Sequence, residues 1–312
     1  MIDLSPLEWI KLAIYYASYL YFPAAMILFW GLYRWRGTKR IAVAMVLLCL
    51  SLIAYGRFIE PRILLTVEHD VLIDECFDEG GAFRVAVFSD THNGLFGNAM
   101  PINRIVNAVN KANADFVLVP GDFIYFLNPD RFDQMFDALP NIKAPVFAVL
   151  GNHDLGLPGP DLSKPLRQAL PGFDVRLIDD QPLKLSNSQF AIELVGLSDQ
   201  WARAQDLSLL EKSTDLPRIV LTHNPASVNG FSSAMRADLL VGGHTHGGQI
   251  QLPFLTCALT GVCGDIAYGL REDRGVQIFT TSGTGMVGLP MRFRVPPRVD
   301  VLNVRYKACA SG

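Results

Sequence analysis

The run Val241-Gly242-Gly243-His244-Thr245-His246-Gly247-Gly248 sets the tightest limit on what this chain can fold into. Two imidazoles lie two residues apart, flanked on each side by a glycine pair. The apolar stretch 239–241 before them reads as a buried strand. The glycines let the backbone turn sharply and come close to whatever the histidines hold. A His-x-His pair at a strand end can present two nitrogens to neighbouring points, as metal ligands do, or can cap a loop through hydrogen bonds. The chain has six histidines, and all but His69 follow an apolar strand-like run beside a turn signal.

At 312 residues the chain holds one large domain or two ordinary ones. Half of it is hydrophobic and 18% is charged, low for a soluble protein. The net charge of −3 gives no reason to expect nucleic acid as a partner. No Cys-x-x-Cys pair occurs among the five cysteines, which disfavours a zinc ribbon or a redox motif. Cys257 and Cys263 either form a disulfide in an oxidising compartment or are two small buried residues.

Residues 1–60 read as a separate unit. From Leu12 to Trp30 no residue is charged, a run about 28 Å long as a helix and enough to cross a hydrocarbon core. Trp9 and Trp35 are candidate interface anchors, and Pro23 predicts a kink. A second apolar run spans Ile41 to Gly56, with Arg57 placed to snorkel beyond it. We read a two-helix transmembrane hairpin; the alternative is a buried helical hairpin in a soluble domain. The connecting loop carries Arg34, Arg36, Lys39 and Arg40, and the positive-inside rule puts it in the cytoplasm. The remainder, 61–312, then sits on the periplasmic or extracellular side of the cell (inner) membrane.

In that remainder, strand-like and helix-like stretches alternate. Strands are expected at 63–67, 83–88, 116–119 and 146–150, with helices at 98–113 and around 130–139 and an acidic turn at 74–81. Further strands are expected at 183–185, 190–197, 219–221, 239–241, 249–252, 277–280 and 299–304. The alternation implies an α/β fold with parallel strands, whose ligands gather at the carboxyl ends of the strands. Gly283-Thr284-Gly285 lacks the lysine and the spacing of a phosphate loop and reads as a turn.

The strand-end residues are Asp90, His92, Asp122, Asn152, His153, His223, His244 and His246. They offer carboxylate, amide and imidazole without thiolate, a mix suited to Mn²⁺, Fe or Zn²⁺. Asp90-Thr91-His92, Gly121-Asp122, Gly151-Asn152-His153-Asp154, a lone His223 and Gly243-His244-Thr245-His246 occur in the order of the calcineurin-like metallophosphoesterase signature. Over roughly 83–306 the chain resembles that superfamily. The resemblance implies a four-layer αββα sandwich behind the hairpin and a pair of divalent ions. One ion would be held by Asp90, His92 and His246, the other by Asn152, His223 and His244, with Asp122 bridging. His153 would be the catalytic residue, a general acid or transition-state stabiliser, and Asp154 a supporting or capping residue. The expected reaction is attack of a metal-bridging hydroxide on a phosphoester or pyrophosphate. A departure from many relatives is Tyr125, where they carry an aspartate that helps orient the catalytic histidine. Phe126-Leu127, where the protein phosphatases of the family have Arg-Gly, disfavours that activity.

The hairpin, Gly247-Gly248-Gln249-Ile250 and the run Gly288 to Phe293 resemble the membrane-associated phosphodiesterase branch, which includes UDP-diacylglucosamine pyrophosphatases of lipid A synthesis. Apolar loops at 252–255 and 287–293 read either as a lip for acyl chains or as core. The partners expected are a phosphoester substrate, lipid-linked in this reading, and the bilayer. A metal-holding membrane module without turnover is the non-enzymatic alternative.

Overall fold

The structure is a computed structural model that describes residues 4–97, 100–252, 255–256 and 267–309. Helices α1 (Pro6–Ala17) and α2 (Tyr21–Arg34) are joined by one 3₁₀ turn (Ser18–Leu20) just before Pro23. Helix α3 (Thr38–Ala54) continues through a π turn and a 3₁₀ turn to Arg62. The two resulting rods, Pro6–Arg34 and Thr38–Arg62, are long and apolar enough to cross a membrane. Only 6% of the most apolar window of the first is buried within the protein. A buried hairpin of a soluble domain would hide those side chains; here Trp9, Met26, Ile27, Phe29 and Trp30 face outward. Arg57 does not snorkel. It is buried, with its guanidinium 4.1 Å from the Tyr15 ring centroid and its Nε donating to Ser18 Oγ at 3.0 Å. The aromatic face that α1 supplies is what turns it inward.

Two six-stranded sheets follow. Their strands are β1 (Leu65–Phe77), β2 (Gly81–Val87), β3 (Asn93–Gly94), β4 (Phe116–Val119), β5 (Ile124–Tyr125), β6 (Val146–Ala148) and β7 (Val175–Leu177). The second half adds β8 (Gln181–Ser186), β9 (Ala191–Gly196), β10 (Arg218–Leu221), β11 (Leu239–Gly242), β12 (Gly269–Asp273), β13 (Val276–Thr280) and β14 (Arg298–Ala308). One sheet runs β1-β14-β2-β4-β6-β7, the other β12-β13-β11-β10-β9-β8, and β3 pairs with β5 beside them.

The sheets pack face to face because each strand alternates its side chains. Val85, Val87, Phe116 and Leu118 of the first sheet meet Ile219, Leu221, Leu239 and Val241 of the second in one core. The opposite faces carry Ala86, Val117 and Val119 under α4 (Ile102–Ala112), α5 (Phe132–Phe136) and α6 (Ser163–Ala169). Val195, Val220 and Leu240 lie under 3₁₀ segments at Leu207–Leu210 and Pro225–Gly230. The layers are thus αββα, with the outer layer over the second sheet built of 3₁₀ turns.

Several expectations need correction. The acidic stretch from Asp74 is not a turn until after Phe77: β1 runs on, with Val71 and Ile73 inward and Glu68, Asp70 and Asp74 outward. Its acidic residues are the solvent face of an alternating strand. Residues 249–252 form no strand; only the bridge Ile250↔Phe293 is present, after two positive-φ glycines and Gln249 (φ 53°) have turned the chain. The helix around 130–139 is one 3₁₀ turn followed by α5. Cys257 and Cys263 lie outside the described residues. Among the described residues, the disulfide joins Cys76 of β1 to Cys309, one residue past the end of the neighbouring β14, with Cα atoms 4.8 Å apart.

Candidate metal centre

Five loops at carboxyl ends of strands meet at one edge of the sandwich. Asp90 and His92 follow β2, Asp122 follows β4, and Asn152 and His153 follow β6. His223 follows β10, and His244 and His246 follow β11, so the two sheets share the site. Asp90, His92, Asp122, His244 and His246 all hold positive φ, a strained backbone that persists where surrounding contacts over-determine it.

Glycines make room for the carboxylates. A Cβ on Gly243 would lie 2.5 Å from Asp90 Oδ2, and one on Gly151 would lie 2.2 Å from Asp122 Oδ1. No side chain larger than hydrogen fits at either place with the carboxylate where it is.

All eight anticipated residues come together. Asp90, His92 and His246 form one group whose donor atoms all lie within 4.8 Å of one another. Within it, His92 Nε2 and His246 Nε2 are 2.8 Å apart, and Asp90 Oδ1 is 3.4 Å from His246 Nε2. On the other side, Asn152 Oδ1 is 3.0 Å from His223 Nε2 and 2.9 Å from His244 Nδ1. Asp122 Oδ2 stands between the groups, 3.5 Å from His92 Nε2 and 3.2 Å from His223 Nε2. The Nδ1–H of His223 donates to the Pro120 carbonyl at 2.6 Å, which turns Nε2 toward the shared space. Buried nitrogens and carboxylate oxygens aimed at common points are a donor set that fits divalent cations.

The electrostatics agree. Burial pushes the Asp90 carboxyl up to about 7. It works to lower His223, but the Asp122 carboxylate overrides it and holds the imidazole up at about 10. Burial likewise works to raise Asp122, and His223 and His92 hold it well below the carboxylate range. His244 is taken down to about 3 by burial and by His223. Protons thus sit where positive charge is wanted, between the carboxylates. A cation binding there displaces them.

The model of the calcineurin-like phosphoesterase family matches residues 83–248. Metallophosphoesterase YkuE of Bacillus subtilis is 30% identical over 262 residues, 80% of this chain and 89% of that protein. This chain belongs to the calcineurin-like phosphoesterases. It is also similar to phosphodiesterase YaeI of Escherichia coli, 29% identical over 80% of this chain and 92% of that protein. A third relative is the UDP-2,3-diacylglucosamine pyrophosphatase LpxG of Chlamydia muridarum, 23% identical over 81% of this chain and 93% of its own length. A calcineurin-like phosphoesterase is a hydrolase, and the family uses divalent metals.

In this calcineurin-like phosphoesterase, His153 stands at the edge of the donor set, where His92, Asp122 and His153 form a further group whose donor atoms lie within 4.8 Å of one another. Its backbone N–H donates to Asp122 Oδ1 at 2.9 Å, and its ring Nδ1 is 3.2 Å from the Pro158 carbonyl. Its ring stands edge-on to Tyr125 at 4.9 Å and to His92 at 5.0 Å. Asp154 is fully buried and accepts backbone N–H bonds from Gly151, Phe123 and Ile124, clamping the Asp122 loop to the Asn152 loop. The Tyr125 hydroxyl bonds Lys11, not His153. His69 lies apart, against Asp300 and Phe279.

Two further neighbours border the site, to which the sequence assigns no role. Trp201 is half-exposed, with its ring 4.6 Å from that of His244. Arg292 is fully buried, donates to the carbonyls of Gly285, Val295 and Ser282, and reaches within 3.4 Å of His246 Nδ1. Trp201 stands in no motif and Arg292 only in the run Gly288 to Phe293; the fold brings both near the histidines.

A cavity of about 460 Å³ opens beside the histidine pair, lined by His244, His246, Ile250, Leu252, Leu255, Val287 and Leu289 among others. Both apolar loops singled out in the sequence supply walls to it. Pro253 and Phe254 of that stretch lie outside the described residues.

Proposed function

We propose that this protein hydrolyses a phosphodiester in a lipid-linked substrate with a pair of divalent ions, of the Mn²⁺, Zn²⁺ or Fe class. The observation that carries this is Asp122 Oδ2, between His92 and His223, with a full donor set on each side. Asp90, His92 and His246 would hold one ion, Asn152, His223 and His244 the other, and Asp122 both. When bound, such ions supply Lewis acidity toward the phosphoryl group and acidify water. The chain's own residues do the rest. His223 is kept in register by the Pro120 carbonyl, and Asp122 is kept facing inward by the His153 N–H. His153, whose backbone N–H bonds Asp122, stands at the rim as the group that would handle the leaving-group proton.

The lipid part of the reading is supported by the apolar cavity beside the site and by the outward-facing apolar surface of residues 7–59. We take 1–60 as the anchor and 61–312 as the catalytic domain. The Cys76–Cys309 disulfide favours an oxidising compartment for that domain. It agrees with the basic connecting loop, and together they support a periplasmic or extracellular active site. The similarity to LpxG favours a second reading, a UDP-diacylglucosamine pyrophosphatase, which gains if the domain faces the cytoplasm.

The test is hydrolysis by the purified full chain, with added Mn²⁺ or Zn²⁺, of bis-(nitrophenyl) phosphate, a phospholipid diester and a UDP-linked lipid. Metal-dependent turnover with preference for the phospholipid is expected. Preference for the soluble aryl ester would count against the lipid reading, and no turnover of any of the three would leave a metal-holding membrane module.

A further inference from the structure

Helix α1 is amphipathic the wrong way round for a helix on a soluble domain. Its only two charged residues, Glu8 and Lys11, turn inward with side chains 4% and 14% exposed, while Leu7, Trp9, Ile10 and Ile14 point out. Burying charge is costly unless it is paired and hydrogen-bonded. Here Glu8 accepts from Ser5 and from Lys11 Nζ (3.2 Å), and Lys11 Nζ donates to the Tyr125 hydroxyl at 2.7 Å.

Tyr125 is at the other end of that chain of contacts. It is buried, and its ring stands edge-on to His153 (4.9 Å) and to His92 (5.8 Å). A second path runs beside it: Tyr15 of α1 stacks on Phe96 at 5.8 Å, and Phe96 packs on Tyr125 at 6.1 Å. Among the described residues, the His153 ring makes one hydrogen bond, at Nδ1 with the Pro158 carbonyl, and one bond leaves the ring free to pivot. The Tyr125 and His92 edges are what limit that pivot.

We propose that α1 completes the active site: Lys11, held by Glu8, fixes the Tyr125 hydroxyl, and Tyr125 is a positioning residue for His153. The anchor is then more than a tether. A continuous rod of 29 residues is about 44 Å long, and the hydrocarbon core is about 30 Å. The excess, roughly nine residues, is enough to carry Glu8 and Lys11, near the start of the rod, to the edge of the hydrocarbon core against the catalytic domain.

This inference rests on His153 acting in the hydrolysis proposed above. The experiment uses the full chain in lipid nanodiscs with Mn²⁺ and bis-(nitrophenyl) phosphate. Lys11→Met and Tyr125→Phe should each lower kcat about tenfold, below the roughly 100-fold cost of a 1 Å misplacement, with KM and metal content unchanged. Lys11→Arg should restore most of the loss. The double variant should be no slower than either single one, because both remove the same contact. Tyr125→Phe keeps the ring and its volume, so it tests the hydroxyl without opening a cavity. Wild-type kcat in Lys11→Met, additive losses in the double variant, or loss of metal alongside activity would each overturn the proposal. A wild type without metal-dependent turnover would remove the hydrolysis reading and this inference together. A wild type that turns over while Lys11→Met matches it removes only the inference.

Discussion

Replacing Gly243 by alanine strikes the site where it is tightest. The added Cβ would lie 2.2 Å from Ser89 Oγ and 2.5 Å from Asp90 Oδ2. The serine hydroxyl can rotate away only by giving up its hydrogen bond to Asp90 Oδ2. The aspartate cannot, because it is fully buried and accepts the His244 N–H at both oxygens, at 3.1 and 3.2 Å. For the 2.5 Å separation to open to an ordinary 3.4 Å, the carboxylate or the end of β11 must move by about 0.9 Å. Overpacking of this kind costs about 1–3 kcal/mol, less than the roughly 5–15 kcal/mol of a typical domain, so the variant should fold with a lower Tm. A displacement near 1 Å in a catalytic constellation costs about 100-fold in rate. Gly243→Ala should therefore hold metal weakly on the Asp90 side and turn over about 100-fold more slowly. Metal analysis after dialysis, a thermal melt and hydrolysis of bis-(nitrophenyl) phosphate at saturating Mn²⁺ measure the three effects. Gly172→Ala, where an added Cβ meets nothing within 4 Å, is the control and should match the wild type. Full metal content and wild-type turnover in Gly243→Ala would refute the packing argument.

Other outcomes follow from the same geometry. His153→Ala should keep its metals and lose about 10²–10⁴-fold in turnover; unchanged activity would take it out of the reaction. Metal uptake should release protons and strengthen as pH rises. His223, held up at about 10, carries a proton at neutral pH that a cation must displace, and Asp90, at about 7, adds a second competing proton below that pH. Titration calorimetry in two buffers reads the release, and an affinity indifferent to pH between 6 and 8 would contradict the assignment. Alkaline phosphatase fused after Glu79 should be active in intact cells, and an inactive fusion would reverse the proposed orientation. Cys76 and Cys309 should resist alkylation until a reductant is added, and alkylation of either without reductant would contradict the disulfide.

Much of this was legible in the linear chain. Short apolar runs such as Phe116–Val119 alternate between two packed faces, and that period survives in the composition of the segment. The candidate donor residues each follow such a run, and Asp122, Asn152, His244 and His246 also adjoin a glycine. Length and lack of charge marked the two long helices. The limits of β1 were misjudged because acidic residues on the solvent face of a strand look like those of a turn when the partner strand is unknown.

What only the tertiary structure decided is which distant groups share a space. No local signal pairs Cys76 with Cys309 across a separation of 233 residues; the parallel register of β1 on β14 does. Nothing near Asp122 says that its one oxygen will stand between His92 and His223; the packing of two sheets does. Lys11 and Tyr125, separated by 114 positions, meet because α1 turns its charges toward the domain and its apolar side away. Periodicity and residue chemistry are properties of neighbours along the chain, so the sequence carries them. Shared ligands, disulfides and buttresses are properties of neighbours in space, and those exist only once the core has closed.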